Sequence, residues 1–145
     1  MSRRLALVAL ILLGLSACAK PCLLDRTGSM TVNAAADANR SSATAIDLAA
    51  TTEAALADRL AGLDAGTYFA TREQLLRDHP ATLTVTGWEV APGQTVGPEP
   101  LRFACRTEAV FLFASIRAPG AHRVRLDSLK GLRVDIGREA IEVTR

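Results

Sequence analysis

Aromatic side chains are scarce in this chain of 145 residues. One Trp, one Tyr and four Phe make up 4% of it, so any core must be filled largely by Ala, Leu and Val. There are two histidines and three cysteines. They form no His-x-x-x-His and no Cys-x-x-Cys, and the glycines form no phosphate-cradling loop, so the common metal, redox and nucleotide signatures are missing. A dominant charge is missing too: 17 Lys and Arg stand against 15 Asp and Glu, for a net charge of +2. That balance supplies no overall attraction to nucleic acid. Long hydrophobic runs are also lacking. The longest, Leu5 to Leu15, spans eleven residues, against roughly 20 for a membrane-crossing helix.

What is present begins with that run. Arg3 and Arg4 precede it and Leu15-Ser16-Ala17-Cys18 follows it, the layout of a secretory signal peptide. Small residues directly before a cysteine resemble the lipobox of bacterial lipoproteins. The resemblance implies that residues 1–17 are removed and that Cys18 carries a covalent lipid; the alternative is an ordinary signal peptide with a chance cysteine. Several acyl chains, at about 0.8 kcal/mol per buried CH₂, hold a protein on a membrane almost permanently. Ala19 and Lys20 follow. The absence of Asp after the cysteine points, within that family, to the outer membrane, with the domain facing the periplasm. Loss of Arg3 and Arg4 brings the net charge from +2 to zero. Cys22 and Cys105 remain as an even pair in an oxidising compartment, which suggests a disulfide; two free thiols are the alternative.

Residues 18–29 hold Pro21, Gly28 and Ser29 and read as a tether, leaving 30–145 as one domain. Met30 onward reads as a first strand, Asp37 to Ser42 as a polar turn, and Ala43 to Ala50 as a second strand. The period then changes: Leu56, Leu60 and Leu63 fall on one helical stripe, with Thr51 or Thr52 as a cap. A second helical piece is expected over Thr67 to Asp78, with Tyr68, Phe69, Leu75 and Leu76 on one face. From Thr82 the alternation is that of a strand. Ala91-Pro92-Gly93-Gln94 is a turn and Gly97-Pro98-Glu99-Pro100 a stiff connection. Thr107 to Arg117 reads as the strongest strand, and its run Ala109 to Ala114 suits a central strand buried on both faces. Shorter alternations follow at Val124 and Leu126, at Leu132 to Ile136, and at Ile141 and Val143. The pattern predicts a mainly β fold, an antiparallel β-sandwich with a helical insertion between strands 2 and 3.

No catalytic set emerges. His79 precedes Pro80, His122 follows the Pro119-Gly120 turn, and both read as surface residues. Ser41 and Ser42 lack a nucleophile-elbow context. Asp127 and Asp135 read as solvated strand residues. Arg117, Arg123 and Arg125 form a basic cluster that is either a charged sheet face or a site for an anionic or protein partner. These readings point away from an enzyme.

The order of features resembles the outer-membrane lipoproteins of bacterial type VI secretion systems, the TssJ/SciN family. Asp37-Ala38-Asn39, Trp88 to Gln94 and Ala109 to Arg117 carry the likeness, which spans roughly residues 30–143. Arg40 departs from the family's usual Pro, and Leu48-Ala49-Ala50 from its Tyr-x-Leu. The resemblance implies a transthyretin-like sandwich and a structural role. The lipid would hold the protein in the outer membrane. The loop between the first two strands would bind the periplasmic tail of an inner-membrane partner in an envelope-spanning complex. That loop is Asp37, Ala38, Asn39, Arg40, Ser41 and Ser42, with Asn39 and Arg40 expected to make direct contacts. No cofactor beyond the lipid, no small-molecule substrate and no nucleic acid is expected. A ligand-binding or envelope-maintenance lipoprotein, with a small apolar pocket between the helices and one end of the sandwich, is the alternative, and a hydrolase or hydrolase inhibitor a more distant one.

Overall fold

The computed structural model describes residues 27–145. The expected leader, Cys18 and Cys22 lie outside the described residues. The first strand, β1 (Thr27–Ala34), starts inside the segment expected to be tether. It is followed by β2 (Thr44–Thr51), the helices α1 (Ala54–Gly62) and α2 (Ala65–Asp78), and β3 (Leu83–Val90). Then come β4 (Thr95–Arg102), β5 (Ala109–Ala114), β6 (Arg123–Arg125), β7 (Leu132–Ile136) and β8 (Ile141–Thr144). The helical insertion falls where expected, between the second and third strands.

Two four-stranded sheets face each other, ordered β4-β1-β7-β8 and β3-β2-β5-β6. Every pairing is antiparallel except β1 with β7, which is parallel. The mainly β sandwich is as expected, and this one parallel pair is an addition to it. Alternation places Met30 and Val32, Ile46 and Leu48, Val110 and Leu112, and Val134 and Ile136 between the sheets, all fully or almost fully buried. Odd-numbered residues of β5 turn the other way. Phe111 and Phe113 pack with Ala49 against Leu56 and Leu60 of α1 and Tyr68 and Leu75 of α2. The strand is therefore apolar at every position because it separates two cores. The Tyr68 and Phe113 rings stack, with centroids 3.9 Å apart. Side chains of both helices and the sheet thus pack together in the space between them.

Both helix starts differ from expectation. α1 is entered through Glu53, whose N–H bonds the Thr51 hydroxyl at 3.1 Å. α2 begins at Ala65, two residues earlier than expected, because Asp64 accepts the Thr67 N–H at 2.8 Å. The expected stiff connection 97–100 is part of β4. Its two prolines are tolerated because β4 is an edge strand, where a missing N–H breaks no inner ladder.

Candidate functional site

The connections at one end of the sandwich converge on the segment expected to bind a partner. Ala38–Ser41 forms a single helical turn, but it winds left-handed: φ is 48° at Asn39, 54° at Arg40 and 59° at Ser41. Each left-handed non-glycine residue costs about 1–2 kcal/mol, so three in succession need outside support. The Asn39 side chain supplies much of it. Its amide donates to Ala43 O and Ser115 O, both at 3.0 Å, and its carbonyl accepts the Arg117 N–H at 2.7 Å. The backbone N–H groups of Asn39 and Arg40 donate to Gly137 O and Arg138 O, tying the turn to the β7–β8 hairpin. Two ion pairs cross the same seam. Arg40 reaches Glu139 with Nη2 at 2.9 Å, and Arg138 Nη1 lies 3.6 Å from Asp37.

This geometry divides the expected contact residues. Asp37, Arg40 and Ser41 are exposed and Ser42 is half-buried. Ala38 and Asn39, also expected among the contact residues, are buried, at 1% and 2% exposure. Asn39 brings donors, as expected, but spends them on the chain's own carbonyls and so builds the turn. Arg138 and Glu139 belong to the same surface, and sequence reasoning misses them. Their only signal is a short polar turn, Gly137 to Ala140, between two alternating strands.

The β3–β4 turn completes this end. Pro92 and Gly93, with φ 76° at the glycine, make a type II turn that Gln94 N–H closes on Ala91 O at 3.0 Å. Gly93 N–H then donates to Ala35 O, and Ala34 N–H to Gln94 O. The end of the Trp88 to Gln94 stretch that carries part of the resemblance thus holds the chain that leads into the left-handed turn. Next to it, on the outer face of the β1-β7-β8 ends, is a basin of about 610 Å³. Asp135 lies in it, bonded by Arg133 at 3.0 and 3.2 Å and by Asn33 at 3.0 Å. Chiefly the Arg133 bond, with Asn33 assisting, holds its carboxyl below the usual range.

Two members of the basic cluster have structural work. Arg123 donates to Leu63 O at 2.6 Å, closing the end of α1, and the Arg125 guanidinium sits 5.8 Å from the centre of the Phe111 ring. His79 lies 3.4 Å from Glu53, and His122 bonds Ala118 O at 2.7 Å. Among the described residues no three His, Cys, Asp or Glu side chains gather as metal ligands would, and no helix is long and apolar enough to cross a membrane.

One buried charged group gives no sign of itself in the sequence. Asp47, in β2, is 1% exposed and accepts the Tyr68 hydroxyl at 3.0 Å. Arg72 Nε lies 3.3 Å from the same oxygen, close enough to attract but not aligned as a hydrogen bond. Gly87 stands directly across the strand pair, and a Cβ there would collide with the carboxylate.

No family model and no curated protein matches the chain. Solved structures do. The type VI secretion lipoprotein TssJ1 from Pseudomonas aeruginosa aligns over 81% of this chain and 94% of its own, at 17% identity and a TM-score of 0.59. Serratia marcescens Lip, described as a membrane-bound component of the type VI secretion system, aligns over 82% and 96%, at 13% identity and a TM-score of 0.63. A chain in a structure described as the type VI protein TssM C-terminal domain from EAEC aligns over 83% and 99%, at 12% identity and a TM-score of 0.62. The resemblance read from the sequence holds in three dimensions: this chain has the β-sandwich fold of the type VI secretion lipoproteins.

Proposed function

We propose that the protein is a structural lipoprotein of a type VI secretion membrane complex, held at the outer membrane by lipid on Cys18. It binds the periplasmic part of an inner-membrane partner through the end of the sandwich that carries the left-handed turn. The observation that carries this reading is the placement of the two ends of β1. The strand enters at Thr27, on the side where the lipid tether joins, and leaves at Ala34, next to the turn. Eight extended residues span roughly 25 Å. A protein hung from the membrane by its N-terminal side therefore presents the turn away from that membrane, toward a partner rooted in the other one. Fold likeness to TssJ1 and Lip supports the same role.

The exposed chemistry suits protein contact. Asp37, Arg40, Arg138 and Glu139 alternate in sign around the seam, which favours register and specificity over raw affinity. The test is calorimetric titration of the full-length chain, purified in detergent, with the periplasmic region of the type VI inner-membrane protein from the same organism. Saturable one-to-one binding that weakens on changing Asp37 and Arg40 together supports the proposal. Folded components that do not bind at concentrations up to about 100 μM, some −5.5 kcal/mol, overturn it.

A further inference from the structure

The basin beside the turn has a floor of small residues and an uncompensated charge. Ala35, Gly137 and Ala140 line it together with Asp135 and Glu142. Asp135 and Glu142 are cross-strand partners in the β7–β8 ladder, where side chains stand roughly 5 Å apart and like charges directly opposite are destabilising. Asp135 is compensated by Arg133 and Asn33. Glu142 is exposed, and its side chain takes part in no hydrogen bond or ion pair within the described residues. The basin adjoins the left-handed turn through Gly137, whose carbonyl accepts the Asn39 N–H.

We infer that this basin receives a lysine or arginine side chain from an extended segment of the partner protein, with its stem over Ala35, Gly137 and Ala140 and its cationic head at Glu142 and Asp135. The inference rests on the proposed partner-binding role and names the chemistry of the contact. Small floor residues leave room for an alkyl stem, which gains from covering apolar surface while its head stays polar. A guanidinium or ammonium head removes the like-charge opposition across the ladder and forms charge-assisted hydrogen bonds. An acidic or purely apolar side chain would leave Glu142 either opposed or uncompensated.

Two titrations test this. In the first, N-acetyl-arginine amide is added to the ¹⁵N-labelled full-length chain in detergent. Amide signals of residues 33–35 and 135–142 should shift, the citrulline analogue of the same shape should leave them in place, and Glu142→Gln should weaken the response severalfold. Equal shifts with citrulline, or shifts confined to other residues, overturn the inference. In the second, the partner's periplasmic region is titrated into variants of the chain. Glu142→Lys should lower affinity by about tenfold or more, the worth of one lost charge-assisted bond. If Arg40→Gly weakens the complex while Glu142→Lys leaves it unchanged, the basin inference falls and the partner reading stands. If the parent chain does not bind the partner at all, the partner reading falls, and the basin as that partner's contact falls with it; the arginine titration then decides only whether the basin holds a cation.

Discussion

Arg40 occupies a backbone conformation that proline cannot enter, since its φ is 54° and the proline ring fixes φ near −65°. The Arg that stands here in place of the Pro implied by the resemblance is therefore consistent with how this turn winds. It also separates folding from binding. Glycine relieves about 1 kcal/mol of left-handed strain, while the exposed pair with Glu139 is worth only about 0–1 kcal/mol. Arg40→Gly should consequently leave the urea midpoint nearly unchanged and weaken partner binding; a large loss of stability would show that Arg40 supports the fold instead. Asn39 behaves in the opposite way. Two of its bonds join segments more than seventy positions apart, and Asn39→Ala would leave the Arg117 N–H and the Ser115 carbonyl without this partner. A loss of about 2–4 kcal/mol in urea unfolding is expected, with binding reduced through disorder of the turn. A stable Asn39→Ala protein with parental affinity would refute this account. The sequence marks the Asp37 to Ser42 segment as a polar turn, and a turn is what forms there. It does not show that one of its polar residues faces inward, because Asn39's distant partners are recognisable only after the strands have assembled.

Elements are legible in proportion to how plainly their sequences declare their surroundings. β5 is apolar at all six positions, reads as buried on both faces, and is so. β4 reads as a connection because Pro98 and Pro100 interrupt it, and only its edge position explains why they are tolerated. The parallel pairing of β1 with β7 joins strands about a hundred residues apart, and periodicity carries no information about such partners. Asp47 illustrates the same limit: in sequence it is one polar residue in a strand, yet it sits beneath α2 and bonds Tyr68. Burial raises its carboxyl above the ordinary 3.8, against the lowering effects of the Tyr68 bond and of Arg72. The folded state therefore takes up a proton more readily than the unfolded one, and the group's contribution to stability falls as pH rises from about 3.8 through the raised value. An amide in its place would not titrate. The stability of Asp47→Asn relative to the parent should accordingly improve between about pH 4 and pH 7. Urea unfolding of both proteins at the two pH values measures this, and a flat or reversed difference would mean that the carboxyl is not held up by burial.

At the scale of the whole molecule, the arrangement of ends bears on the cysteines. Cys105 is disulfide-bonded. It follows β4 by three residues, and β4 ends at Arg102 directly opposite Thr27, where the described chain begins. Cys22 lies five residues before Thr27 in the sequence, so we propose it as the partner, closing a loop of some eighty residues. In the chain-entropy picture such a loop stabilises by about 4.5 kcal/mol. The position of the staple matters as much as its strength: it lies at the tether end, a strand's length from the left-handed turn. Replacing Cys22 by Ser, or reducing the parent, should therefore lower the unfolding free energy by roughly that amount. Partner affinity measured well below the melting temperature should stay within about twofold, because binding at the far end responds only to the fraction folded. Unfolding and titration of the same two samples, with and without reductant, give both numbers. Undiminished stability would exclude the staple. Affinity that collapses while the protein remains folded would mean that the tether end takes part in binding, and that the partner does not approach from the turn alone.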